Sequence, residues 1–139
     1  MTGSASPAGQ LGPATDSALV LALDAQGKHP LGREPQEPLE HLACALGGCL
    51  LELVGRFQER RDQSRRARAE VVWRLGCSGQ LRCLWVTLWL PEVSSVAECI
   101  TLERLLGTCP VHRVLSSGVP VAVSLPTDLT SEAGNPLDA

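Results

Sequence analysis

The sequence predicts a single α+β domain, and three observations carry that prediction. Residues 38–57 hold the longest apolar run, repeated at helical spacing; residues 81–90 alternate as a strand; and the elements follow in the order β, α, β, β, α, α, β with no internal repeat. A chain of 139 residues with 44% hydrophobic and 19% charged residues has the composition of a soluble globular domain. Its formal charge of −3 argues against a general nucleic-acid binder, which needs a basic surface to neutralise phosphates. No basic-then-apolar signal sequence opens the chain and no run reaches the length of a membrane span, so a cytoplasmic address without membrane contact is the expectation.

Residues 1–16, rich in Gly, Ser, Ala, Pro and Thr, read as a disordered leader, residues 17–125 as the domain, and residues 126–139 as a disordered tail. Residues 17–24 are a short apolar strand closed by a turn at residues 24–27, and residues 28–37, with Pro30, Gly32 and Pro35, read as a loop into the long helix. Pro38 suits a first helical position, and Leu39, Leu42, Leu46, Cys49, Leu50, Leu53 and Phe57 follow at helical spacing. From 42 to 51 no face is charged, so this helix needs cover all round, more than so short a chain readily supplies. Oligomerisation follows as an expectation. Gly47 and Gly48 are each unfavourable in a helix interior, which points to another backbone or a ligand coming close beside Cys49.

Residues 58–68 carry five arginines with Glu59 and Asp62 among them. With no aromatic residue interleaved for base stacking, the run reads as a solvated helix end whose cations complement the C-terminal dipole. Residues 70–75 and 81–90 are two strands joined by a turn, the second with both faces largely apolar. Ser95 and Glu98 open a second helix that Gly107 ends; Pro110 starts a short third helix stopped by Gly118; residues 119–125 are a last strand, confined to an edge or a first position by Pro120.

Six cysteines in a cytosolic chain of ordinary size are thiols rather than a disulfide framework. Cys109 stands at the N-cap of the third helix, where amide donors and the dipole favour a thiolate. Cys44 and Cys49 lie about 140° apart on one helix and cannot share a metal. Cys77 and Cys83 lack the tight spacing of a zinc knuckle, and Cys99 sits on an apolar stripe, so no metal and no bound cofactor is expected. Spacing alone leaves Cys49 and Cys109 open between a redox role and burial as structural thiols.

The segment Glu37-Pro38-Leu39-Glu40-His41-Leu42-Ala43-Cys44-Ala45-Leu46-Gly47-Gly48-Cys49, followed later by Cys109-Pro110-Val111-His112-Arg113-Val114-Leu115, resembles the OsmC/Ohr family over residues 31–125. Members are α+β homodimers, intertwined so that long helices lie back to back inside antiparallel sheets, with active sites at the interface. The resemblance implies a thiol-dependent peroxidase acting on organic hydroperoxides or hydrogen peroxide. Cys49 would attack the O–O bond and become a sulfenic acid, Cys109 would close a disulfide with it, and an external dithiol, a dihydrolipoyl group in the organic hydroperoxide branch, would reduce the pair. The strands before the helix are truncated relative to the family, and Arg33 is the only arginine there to activate Cys49. Glu40 lies about half a turn round from Cys49 and is not carried over, while His112 is a solvated or packed histidine before it is a tuner of Cys109. The alternative function is a dimer of the same fold that binds a small apolar ligand or serves a structural or interaction role.

Overall fold

The structure, a computed structural model, describes residues 15–91 and 95–126. The leader before residue 15 and the tail after residue 126 lie outside the described residues. Strands β1 (Thr15–Asp24) and β2 (Gly27–Pro30) form a hairpin ahead of the long helix α1 (Pro38–Arg60). A second hairpin of β3 (Ala67–Leu75) and β4 (Leu81–Trp89) leads to α2 (Val96–Leu106), α3 (Pro110–Ser116) and the last strand, β5 (Val121–Ser124). The five strands make one sheet in the order β2-β1-β3-β4-β5, antiparallel except for the parallel pair β4 and β5.

Three boundaries differ from the sequence expectation, each for a local reason. β1 begins at Thr15, so Thr15 and Asp16 belong to the sheet and not to a leader. Asp16 lies opposite Arg74, whose guanidinium donates to both carboxylate oxygens at 2.7 and 3.1 Å. Residues 27–30 form β2 where a loop was predicted, because Gly27 at φ 109° turns the chain back on β1 and the Asp24 carboxylate pairs with the His29 ring at 2.8 Å. Two strands therefore precede α1, not one. β3 starts at Ala67, three residues early, because Ala67 and Ala69 are the buried small residues over which α1 passes.

Alternation decides the two faces of the sheet. Leu84, Val86 and Leu88 of β4 point inward with Val71 and Trp73 of β3 and Leu21 and Leu23 of β1, all buried. α1 lies across β1, β2 and β3 on that inner face, and α2 and α3 pack against α1. By length and composition α1 would also pass for a membrane span, against the expectation of no such run, but its apolar residues are spent on the core. Contact is closest at Gly47, where an added Cβ would stand 2.8 Å from Leu21 Cδ1 and 3.1 Å from Val71 Cγ2. The neighbours are sheet side chains, not a second backbone or a ligand. Gly48, by contrast, has no atom within 4 Å of an added Cβ, and Ala45 is exposed. The described residues of one chain thus leave a strip of α1 open.

The arginine run is dispersed instead of forming one solvated face. Arg65 lies over Gly55, where an added Cβ would meet its Nε at 2.8 Å, and reaches Glu52 and Glu59 at 3.7 Å each. Gln58 is buried, its amide accepting from the Arg66 N–H at 3.0 Å and donating to the Arg66 carbonyl at 2.7 Å, which ties the end of α1 to the start of β3. Replacing Gly47 by Ala should lower stability by about 1 kcal/mol in chemical denaturation, the crowding against Leu21 and Val71 outweighing the gain in helix propensity.

Candidate functional site

Because Gly47 faces the sheet, Cys49, about 200° further round α1, points away from it. α3 comes to that side. α2 is anchored by buried Leu102 and Leu106, ends at Gly107, and its last turn bonds the next residues, Thr108 N to Leu105 O at 3.0 Å and Cys109 N to Leu106 O at 3.1 Å. Pro110 then starts α3, with Cys109 as the N-cap whose sulfur accepts from the His112 N–H at 3.4 Å. The Cys109 thiol donates to Cys49 Sγ at 2.9 Å, so two residues sixty positions apart meet sulfur to sulfur as free thiols.

The two thiols differ in access. Cys49 is half-buried, whereas Cys109 has no exposed surface. Burial, aided by the contact with Cys49, pushes the Cys109 thiol up to about 11, although the amide N–H groups of His112 and Val111 pull the other way. The sequence-based expectation of a Cys109 thiolate is thereby corrected. An N-terminal dipole is present, but desolvation of the anion outweighs it. Cys44 and Cys99 are also raised, chiefly by burial.

The other residues singled out in the sequence serve elsewhere. Glu40 accepts from the backbone N–H groups of Gln36 at 2.8 Å and Glu37 at 3.0 Å and pairs with the Arg33 guanidinium. These donors, the Glu37 N–H foremost, hold its carboxyl down at about 2. Arg33 and Glu40 thus cap the start of α1, with Glu40 about 13 Å along the axis from Cys49. His112 contributes its backbone N–H to Cys109 and is among the residues lining a cleft of about 280 Å³ with Glu103, Leu106 and Val123. Among the described residues no group of three His, Cys, Asp or Glu is placed to hold a metal ion.

No family model matches the sequence, and no curated protein matches it. Solved structures do share its fold. A Psychrobacter arcticus protein named for osmotic stress induction and detoxification response superposes with a TM-score of 0.58 at 16% identity, over 69% of this chain and 71% of its own. A Lactobacillus casei protein named for a redox role gives 0.52 at 18% identity, over 73% and 74%. An OsmC like protein from Mycoplasma pneumoniae gives 0.53 at 17% identity, over 81% and 96%. The chain has the OsmC-like α+β fold over most of its described length, as the resemblance implied.

The thiol geometry makes stability depend on pH in the alkaline range. Cys109 ionises at a higher pH folded than unfolded, so its contribution is whole below its ordinary value of 9.0 and is lost as the pH rises towards about 11. Denaturation midpoints should therefore fall across that window. The slope should be shallower in Cys109→Ser, with the rest left by Cys44 and Cys99.

Proposed function

We propose that this protein is a thiol-dependent peroxidase that reduces organic hydroperoxides or hydrogen peroxide through Cys49 and Cys109. The observation that carries the reading is the 2.9 Å approach of two sulfurs of unequal access. Only Cys49 is open to solvent, so it takes the peroxide. As a thiolate it attacks the outer oxygen; an S–O bond forms while the O–O bond breaks, and the alkoxide leaves as the alcohol with a proton from solvent. Cys49 is thereby oxidised to the sulfenic acid. Cys109 then attacks Cys49 Sγ; the S–S bond forms, the S–O bond breaks, and hydroxide departs as water with the Cys109 proton.

An external dithiol, for which a dihydrolipoyl group is the resemblance's candidate, restores both thiols by two exchange steps and leaves as a disulfide. No bound cofactor is called for. The protonated state of Cys109 suits this order, because a buried neutral thiol survives unreacted until the sulfenic acid forms beside it. The redox name of the Lactobacillus casei structure and the stress and detoxification name of the Psychrobacter arcticus one support the class.

The working unit in this proposal is a homodimer, with the open strip of α1 at Ala45 and Gly48 covered by a second copy. Gly48→Leu has room within its own chain, so it should leave the chain folded and shift sedimentation from dimer to monomer. A wild-type protein already monomeric at low micromolar concentration contradicts the dimer.

Consumption of cumene hydroperoxide with dihydrolipoamide tests the chemistry. Cys49→Ser should abolish turnover, and Cys109→Ser should stop at a sulfenic acid that a sulfenate-specific nucleophile traps. Turnover that survives in Cys49→Ser overturns the peroxidase, and a wild type inert to peroxide leaves the ligand-binding or structural dimer in its place.

A further inference from the structure

The arginine run leaves one feature that the thiol chemistry does not use. Where the last turn of α1 meets α2, a cleft of about 480 Å³ is lined by Phe57, Arg60, Arg61, Thr101, Arg104 and Leu105. Its size lies within the range of small-molecule sites, roughly 300 to 1,000 Å³. Two separate helices contribute the cations, so nothing in the linear sequence brings Arg104 to Arg60 and Arg61.

Arg61 is fixed in place. Its guanidinium lies over the Phe57 ring, 4.5 Å from the centroid, and donates to Glu98 Oε2 at 3.0 Å. Arg60 and Arg104 are exposed, and among the described residues no hydrogen bond or ion pair engages either. Each stands in the last turn of its helix, which accounts for a cation at each place but not for their convergence on one cleft with a third. Arg61 is already paired with Glu98 and no carboxylate is among the residues that line the cleft, so Arg60 and Arg104 present cations there that an anion can engage.

The donors set the chemistry of that anion. The Thr101 hydroxyl already donates to the Ala97 carbonyl at 3.0 Å, so the guanidiniums are the groups left to bind. Planar forks match phosphate oxygens, while Phe57 and Leu105 offer an apolar wall. Glu59 and Asp62 border the arginines and the chain carries a net charge of −3, which does not fit the long basic track that a nucleic-acid strand needs.

We propose that the cleft formed by Arg60, Arg61 and Arg104 at the junction of α1 and α2 binds a small phosphate-bearing organic anion. It is a site apart from the thiols: Arg60 lies eleven residues beyond Cys49, about 16 Å along α1. Its failure and that of the peroxidase reading are therefore independent.

Titration calorimetry with sodium pyrophosphate at low salt tests the site on the full chain, with the peroxidase assay run alongside. Wild type and Cys49→Ser should bind pyrophosphate alike, with affinity falling as salt rises. The exposed pair Arg60→Gln and Arg104→Gln should weaken binding about tenfold or more while leaving peroxide turnover unchanged, and Arg82→Gln, away from the cleft, should change neither. No binding by wild type, or equal binding by the double variant, overturns the proposal. So does a single-stranded oligonucleotide that binds where pyrophosphate does not, since that result assigns the arginines to nucleic acid.

Discussion

The close seat of α1 on the sheet at Gly47 is the constraint on which the rest depends. A residue with a side chain there would meet Leu21 and Val71, so the helix could not lie so near the small residues Ala67 and Ala69. Once Gly47 faces the sheet, helical periodicity directs its neighbours: Cys49 turns away from the sheet, and Gly48 turns to the side that the chain leaves open. One glycine thereby fixes both the direction of the accessible thiol and the side of the helix that the chain leaves open.

α3 meets Cys49 from the other direction, and the two thiols are unequal because the fold makes them so. Cys109 lies in the short turn that links α2 to α3, its N–H bonded to the Leu106 carbonyl, where no solvent reaches it. Its N-cap position supplies two amide donors, yet these do not offset the loss of water around a charged sulfur. The result is one sulfur that solvent can reach and one that keeps its proton beside it. Arg33, the arginine that the resemblance offers as an activator, is engaged at the start of α1 by Glu40, whose carboxylate also holds two backbone N–H groups.

Where side-chain period was strong, the sequence was a good guide. α1, β4, α2 and α3 are legible from apolar spacing, Pro38, Ser95 and Pro110; β5, expected from residue 119 with Pro120 at an edge or a first position, is an edge strand that begins at Val121, just after Pro120. β2 was missed because four residues containing His29 and Pro30 carry no alternation; the ladder to β1 and the turn at Gly27 make it a strand. The start of β3 was hidden because its inward residues are alanines between charged residues, a pattern whose sense appears only when a helix lies over it. At the thiols, the N-cap was legible and the burial was not, so the direction of the Cys109 shift came out reversed. The two glycines looked alike in sequence, yet one is crowded by the sheet and the other faces open space. The convergence of Arg104 on Arg60 and Arg61 had no linear signal.

That the fold sets Cys49 and Cys109 side by side as one redox unit is the central claim, and disulfide mapping tests it most directly. After one equivalent of hydroperoxide, with free thiols alkylated and the digest read by mass spectrometry, the account predicts a single bond between Cys49 and Cys109, formed within one chain. Cys44, Cys77, Cys83 and Cys99 should all carry the alkyl label. Peroxide consumed with no such bond, or with a bond to any other cysteine, would contradict it.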